Sequence, residues 1–220
     1  MIISNKLLKN TKIPQPTLSR LCKIYSLLEE FRQKGETTIS SQEIGKRLGE
    51  GSHSIRKDVG YLNESGTSGS GYKINRLQKR IQEAFGFNNQ RNACIIGLGS
   101  LGSILINGHA PTLPCFSIIA GFDSNTNILE TVQTSIPLYP TYEIPQVLKK
   151  ENIEMAIITE PDRNMETIMD RLIEGGIRGI INMTPMIISS SDKSIYIRNL
   201  DIFTEFRFLS ALFTLNPKEL

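Results

Sequence analysis

The chain has 220 residues, 39% of them hydrophobic, which fits a protein of one or two domains with substantial cores. No stretch approaches 18 uncharged apolar residues, so we expect no membrane span, and the first residues lack the apolar core of a secretory signal. The cysteines at 22, 94 and 115 are widely spaced without a CxxC pair. This spacing argues against a disulfide framework or a metal site and favours a cytoplasmic protein.

The net charge of +3 conceals an asymmetry between the two halves of the chain. Residues 1–91 contain 16 Lys and Arg against 8 Asp and Glu, a net charge of +8, whereas residues 92–220 have a net charge of −5. The pattern indicates that only the first half meets a polyanion. The alternative is chance clustering of surface charge.

The basic half opens with three predicted helices. Apolar residues at helical spacing between Leu18 and Phe31 indicate the first, which Gly35 ends. The segment Ser40-Ser-Gln-Glu43 has the form of a capping box and opens the second. After a glycine turn, Ser52 can cap the third.

The third helix is the informative one, because its two faces differ in character. One face carries Ile55, Val59 and Leu62, and the other carries His53, Arg56, Lys57 and Gly60. Two short helices joined by a glycine turn, the second with a basic outer face, are typical of a helix-turn-helix. The small-residue loop at 66–72 indicates the tip of a β-wing. The alternative is a three-helix module that binds other proteins.

A further amphipathic helix is predicted from Asn75 to Phe85, followed by a short linker at 86–91. A domain boundary is therefore expected near residue 90.

The second half opens on a glycine-rich turn between a buried strand at 92–96 and a helix at 101–106. In a dinucleotide-binding turn, Gly97 allows the tight exit from the strand, Gly99 lets backbone approach a pyrophosphate, and Gly102 lets the helix pack closely. A second strand at 117–122 leads to Asp123, about twenty residues on, where a carboxylate accepts hydrogen bonds from ribose hydroxyls. The next four residues, Ser124–Asn127, contain no Lys or Arg to meet a 2′-phosphate, so NAD(H) is favoured over NADP(H).

The α/β alternation continues with strands at 155–158 and 179–181 around a helix at 164–174. Ligands of doubly wound sheets bind at the carboxyl ends of the strands, so residues there are candidates for the cofactor site. Ordinary strand ends terminated by proline are the alternative. The full set of expected cofactor residues is Gly97, Leu98, Gly99, Ser100, Leu101, Gly102, Asp123, Thr159, Glu160, Pro161, Asn182, Thr184 and Pro185.

Residues for proton-transfer chemistry are not evident. The two histidines, His53 and His109, have no partner that the sequence reveals, and a loop histidine is more often structural. We therefore expect no catalytic residues and no enzyme. The rival hypothesis is a small NAD-dependent oxidoreductase with a fused regulatory domain.

The tail from Ile202 to Leu215 is apolar on nearly every side of a helix that is too short to span a membrane. Such a helix must be buried, either in its own subunit or in a partner subunit. The second option suits a dimeric DNA-binding protein.

Together these motifs resemble the Rex family of redox-sensing bacterial transcriptional repressors over nearly the whole chain. They are Ile13-Pro14, Thr17–Leu21, Ser40-Ser41, Ile55–Asp58 with Tyr61, Gly66–Tyr72, the Gly97–Gly102 turn, Phe122-Asp123, Gly176–Asn182 with Pro185, and Asn199–Asp201. The resemblance implies a winged-helix domain and a Rossmann domain, dimerised through exchanged C-terminal helices. It also implies operator binding that NAD⁺ permits and NADH relieves.

Three positions depart from the family pattern. The wing usually has a basic residue where Thr67 and Ser68 stand, family members often have Tyr where Gly108 stands, and they can have Arg where Ser26 stands. In the family the last two side chains can engage the carboxylate that corresponds to Asp201. A repressor that no longer senses nucleotide is therefore a further alternative.

The resulting prediction is an α/β protein with a winged helix-turn-helix domain (1–90), a Rossmann-like doubly wound parallel sheet that binds NAD(H) (91–199) and a C-terminal dimerisation helix, domain-swapped, with a tail (200–220). It is expected to be a cytoplasmic homodimeric repressor of a palindromic DNA operator, without a membrane or metal partner. Asp201 is expected to couple the domains. The expected DNA-binding residues are Arg20, Ser41, Arg47, His53, Arg56, Lys57, Tyr61, Thr67 and Ser68.

Overall fold

A computed structural model describes residues 13–67, 69–107 and 115–216 of the chain. The described residues fall into two compact units, within 1–89 and within 90–220. Among the helices that the structure describes, none combines the length and apolar character that crossing a membrane would require.

The first unit combines helices with a short antiparallel ribbon. In the ribbon, Thr38 pairs with Lys73 and Ile39 with Tyr72. Its described elements are α1 (Gln15–Gln33), β1 (Thr38–Ile39), α2 (Ser41–Leu48), α3 (Ser52–Gly60), β2 (Tyr72–Lys73) and α4 (Ile74–Phe85).

Local sequence accounts for the ends of α2. The Ser40 hydroxyl accepts a hydrogen bond from the backbone N–H of Glu43 at 3.0 Å, so the predicted N-cap is confirmed. At the other end, Gly49 adopts the left-handed conformation that closes a helix, with φ of 70°. A Cβ added at Gly45 would overlap the carbonyl oxygen of Glu50, so glycine there lets the turn fold back onto α2.

The core of this unit lies where α1, α3 and α4 meet. Leu18, at the start of the apolar pattern of α1, is 39% exposed, whereas Leu21, Ile24 and Leu28 are fully buried. One expectation about these helices was wrong. The cap of α3 is Gly51, not Ser52, whose side chain lies one position inside the helix. The largest fully buried side chains of this core are Leu21, Ile24, Leu28, Ile44, Ile55, Ile74, Leu77 and Ile81.

The second unit is a doubly wound α/β fold. Its described strands are all parallel, in the order β5-β4-β3-β6-β7-β8. The elements are β3 (Arg91–Ile96), α5 (Ser100–Asn107), β4 (Phe116–Asp123), α6 (Thr126–Thr131), β5 (Leu138–Pro140), a 3-10 turn (Thr141–Glu143), α7 (Ile144–Glu151), β6 (Ile153–Ile158), α8 (Met165–Glu174), β7 (Gly179–Asn182), β8 (Tyr196–Asn199) and α9 (Ile202–Leu215).

The strand order places a topological switch point at β3. The chain passes from β3 to β4 on one side and returns to β6 on the other, which opens a crevice at the carboxyl ends of these strands. The buried core beneath includes Cys94, Ile96, Phe122, Ile158, Ile168 and Leu172.

The C-terminal helix α9 has the bounds that the apolar pattern predicted, but it contributes no side chain to a core within its unit. Phe206 is 64% exposed and Phe213 73% exposed. The described residues leave this helix exposed, and its burial in a partner subunit, the option that suits a dimer, stays a prediction.

Candidate DNA interface and nucleotide site

The helix α3 presents the two faces that its sequence predicted. Ile55 and Val59 are fully buried, whereas His53, Arg56 and Lys57 point to solvent. A helix held by an apolar face with cations on the outer face is suited to entering the major groove of DNA.

Arg56 is positioned by the helix-turn-helix itself. Its Nη1 lies 3.1 Å from the hydroxyl of Ser41 on α2 and 3.4 Å from that of Ser52, one turn back on α3. Both hydroxyls accept from the guanidinium and leave its other N–H groups for a ligand. Lys57 forms no ion pair with any described residue, so its ammonium can reach a phosphate.

The guanidinium of Arg20 is paired with the carboxylate of Asp58 rather than free in solvent. Its Nε lies 2.6 Å from Oδ2 of Asp58 and its Nη2 lies 3.0 Å from Oδ1, which is a two-pronged pair with a carboxylate that is 1% exposed. The hydroxyl of Thr17 donates to the same carboxylate at 2.9 Å. The hydrogen bond to Asp58 raises the pKa of Arg20 above its usual value. The pair joins α1 to α3 and so orients α3, while the DNA contact expected of Arg20 stays a prediction.

The other predicted DNA contacts lie around α3 with different neighbours. Arg47 is exposed on α2, 3.2 Å from Glu43, with its guanidinium over the ring of Phe31. Tyr61 is half-buried directly after α3, and Thr67 is exposed in the wing, where its N–H donates to the carbonyl of Gly71 at 2.8 Å. Ser68 lies outside the described residues.

Sequence reasoning missed an ionic cluster at the base of the wing. Glu64, 7% exposed, accepts from Nε of Arg76 at 3.1 Å and from Nε of Arg80 at 2.8 Å. The sequence shows two arginines four residues apart on α4. It does not show their partner, because Glu64 lies on the other side of the wing loop, at no characteristic spacing from them. The cluster ties the wing to α4.

At the switch point of the sheet, Asp123 and the glycine turn lie side by side. Oδ2 of Asp123 accepts from the N–H of Leu98 at 2.7 Å, and Oδ1 accepts from the N–H of Asn125 at 2.8 Å. A carboxylate has about four acceptor positions, so sites remain for the hydroxyls of a ribose. The buried carboxylate is thereby fixed between the glycine turn and the backbone that follows β4.

Backbone conformation and close packing require glycine at two positions of the turn. Gly97 has φ of +93°, in the region that favours glycine. A Cβ added at Gly102 would overlap the carbonyl oxygen of Gly97, so α5 could not start so close to β3 with any other residue. The hydroxyl of Thr159, at the end of β6, lies 2.7 Å from the same oxygen. Gly97, Gly102 and Thr159 therefore form one closely packed turn.

A cavity of about 200 Å³ opens beside this turn. Of the predicted cofactor residues, Gly97, Asp123, Glu160 and Pro161 line it. Its other lining residues, which the sequence analysis did not assign to the cofactor site, are Ile96, Ser124, Asn125, Ile128, Thr141, Asp162 and Ile168. Of these, Thr141 follows β5, a strand that the sequence analysis did not predict. Asp162 is held by an accepted hydrogen bond of 2.7 Å from the hydroxyl of Ser124.

The predicted residues after β7 lie elsewhere. Asn182 is fully buried and shapes its own loop, accepting from the N–H of Thr184 at 3.0 Å and donating to the side chain of Asn199 at 2.7 Å. Asn182, Thr184 and Pro185 do not line the cavity beside Gly97. Their contact with a cofactor stays a prediction.

Asp201 acts as the N-cap of α9. Its carboxylate accepts from the N–H of Phe203 at 3.0 Å and from the hydroxyl of Thr204 at 2.7 Å. The hydrogen bond from Thr204 is the main reason that the pKa of Asp201 lies below its usual value. The coupling role expected of Asp201 stays a prediction, and Gly108 and His109 lie outside the described residues.

Redox chemistry at the buried thiol is disfavoured by the same fold. Cys94, in the centre of β3, is fully buried, and this burial raises its pKa to about 12. The thiolate, which is the reactive form, is therefore scarce at neutral pH. Among the described residues no group of three or more His, Cys, Asp or Glu side chains is arranged to hold a metal ion.

Comparison with known proteins agrees with the division of the chain. A family model described as "Putative DNA-binding protein N-terminus" matches residues 12–59, and one described as "CoA binding domain" matches residues 88–186. The redox-sensing transcriptional repressor Rex of Carboxydothermus hydrogenoformans is 32% identical over 203 residues, covering 92% of this chain and 97% of the relative. That of Ligilactobacillus salivarius is 33% identical over 198 residues, covering 90% and 92%.

The fold is shared with a solved structure as well. The crystal structure of RSP in complex with beta-NAD+ and operator DNA superposes with a TM-score of 0.82 at 24% identity, covering 96% of this chain and 95% of that one. A helix-turn-helix unit joined to a doubly wound α/β unit, in a chain whose relatives are redox-sensing transcriptional repressors, defines a transcription regulator. The chain belongs to the Rex family of redox-sensing transcriptional repressors, which confirms the family and fold class that the sequence predicted.

Proposed function

We propose that this chain is a homodimeric repressor that binds a palindromic DNA operator and is released when NADH replaces NAD⁺. The observation that carries the proposal is the fixed position of Asp123 beside the Gly97 turn, in a chain whose other unit presents Arg56 and Lys57 on an exposed helix. The family membership supports the link between these two sites.

NAD(H) fits the cavity better than nucleotides with a further phosphate on the adenosine ribose. Coenzyme A carries a 3′-phosphate and NADP(H) a 2′-phosphate, either of which would lie close to a carboxylate that holds the ribose. The cavity is lined by Asp123, Glu160 and Asp162, with no Lys or Arg among its described lining residues. These carboxylates would repel an extra phosphate on the ribose, so NAD(H) is the expected ligand.

The apolar helix α9 supports dimerisation. Its exposed phenylalanines and leucines fit burial in a partner subunit, and a two-fold axis would place two α3 helices on half-sites spaced by whole turns of DNA. Nucleotide can act only through different affinity for two conformations of that dimer.

A gel-shift titration on a palindromic operator tests the proposal. Operator binding should persist at saturating NAD⁺ and fall at saturating NADH, and coenzyme A should have little effect. Identical binding under both nicotinamide nucleotides would refute redox sensing.

A repressor that no longer senses nucleotide is the second candidate. It is favoured by the engagement of Asp201 with its own helix at Phe203 and Thr204. Calorimetry that detects no NADH binding, with operator binding intact, would support it over the first.

A further inference from the structure

The glycine turn is covered by an acidic side chain of the same chain. Glu160, directly after Thr159 at the end of β6, extends its carboxylate over Gly99, so closely that a Cβ added at Gly99 would overlap Oε1. Its own Cβ would lie 3.0 Å from a Cβ added at Gly97. Glu160 therefore lies across the two glycines whose backbone is expected to approach a pyrophosphate.

This position is one that favours an anion. The backbone N–H groups at the start of a helix have no partner within the helix, and the helix dipole adds positive potential there. Gly99 directly precedes α5, so its surroundings suit the phosphate groups of a nucleotide. The carboxylate of Glu160 lies over Gly99, at this same place.

The carboxylate is held there loosely. Among the described residues, no hydrogen bond or ion pair engages the side chain of Glu160, in contrast to Asp123 and Asp162, whose carboxylates are fixed by two hydrogen bonds each. A glutamate has three side-chain torsions, so it can rotate away without moving the backbone.

We propose that Glu160 limits nucleotide affinity, because its carboxylate occupies the phosphate position of the nucleotide site and must be displaced when nucleotide binds. The inference rests on the proposed nucleotide site. Displacement brings a carboxylate next to the incoming phosphates, in a cavity that already holds Asp123 and Asp162. Glu160 thus lowers affinity for every ligand in proportion to the phosphate charge that it brings to the turn.

The test compares ligands that differ in phosphate content. NADH, NAD⁺, ADP-ribose and adenosine are titrated by calorimetry into the full-length wild type, Glu160→Gln and Glu160→Ala. Loss of one like charge about 4 Å away corresponds to a gain of about fivefold in affinity. We expect that gain in both variants for NADH, NAD⁺ and ADP-ribose, and no change for adenosine. Glu174→Gln, the same charge change on α8 at the opposite edge of the sheet, should leave all four affinities unchanged.

The possible results separate this proposal from the proposed function. If the wild type binds dinucleotide and both variants bind it equally or more weakly, the role of Glu160 is refuted while nucleotide sensing stands. A gain in Glu160→Ala alone, or an equal gain for adenosine, would also refute it, because the effect would then not depend on charge at the phosphates. If neither wild type nor variants bind any dinucleotide, the nucleotide site itself is refuted.

Discussion

At the scale of single residues, Arg56 and Lys57 are neighbours on α3 with different support. Two hydroxyls restrain the guanidinium of Arg56, whereas the ammonium of Lys57 is held by none of the described residues. The two side chains are therefore expected to contribute to operator binding in different ways.

We expect Arg56→Ala to weaken operator binding by about 1–3 kcal/mol and to relax preference among base sequences. Lys57→Ala should weaken binding to operator and scrambled duplex alike and should reduce the slope of log affinity against log salt by about 1. Fluorescence anisotropy over a range of KCl concentrations measures both effects. Lys79→Ala, on α4 beside Glu83, is the matched control and should change neither. Equal loss from Arg56→Ala on both duplexes would contradict a base-reading role.

Gly102 offers a test of the nucleotide turn. Gly102→Ala forces a methyl group against the carbonyl oxygen of Gly97, so α5 must shift from β3, and we expect NADH binding to fall below detection in calorimetry. In Gly179→Ala, of the same unit, the added Cβ lies 3.8 Å from its nearest neighbour, Cγ of Met155, and binding should persist. Wild-type affinity in Gly102→Ala would show that nucleotide binds elsewhere.

At the scale of elements, the pair between Arg20 and Asp58 fixes α3 on α1. Breaking a buried ion pair by removing one partner costs about 3–5 kcal/mol. The Arg20 side chain is 23% exposed, so water can partly solvate its charge when the partner is removed. We therefore expect Asp58→Asn to lower the free energy of unfolding by about 3 kcal/mol, at the low end of that range. Operator affinity should fall with it, since α3 loses its anchor.

Urea unfolding followed by circular dichroism measures this loss. The control is Glu43→Gln, which removes an exposed carboxylate 3.2 Å from Arg47 and should cost less than about 1 kcal/mol. A similar loss in both variants would mean that burial of the Asp58 pair does not matter.

Elements with strong local signals were predictable from the sequence, and elements defined by distant contacts were not. The capping box at Ser40 and the glycine turn at Gly97 depend on residues a few positions apart, and both were placed correctly. The strand β5 is three residues long and ends in Pro140, so its place at the sheet edge comes from pairing with β4. The cavity-lining residue Thr141 follows it and was missed for the same reason.

At the scale of the whole molecule, α9 is an apolar helix that the described residues of its unit do not bury. Phe206→Glu puts a charge on an exposed apolar helix, and if a second copy covers α9 that charge becomes buried and unpaired. We expect the variant to sediment as a monomer where the wild type sediments as a dimer, and to lose operator binding. Ile187→Glu, at another exposed apolar position of the same unit, should remain dimeric. A dimeric Phe206→Glu variant would place the interface elsewhere.

The exposure of α9 has a consequence for how the protein would act in a cell. If two copies must meet to cover fourteen residues of apolar helix, the amount of assembled repressor rises with the square of the chain's abundance while assembly is incomplete. Halving expression would then remove more than half of the DNA-competent species. The cell could therefore set its response both by the nicotinamide ratio and by how many copies of this chain it makes.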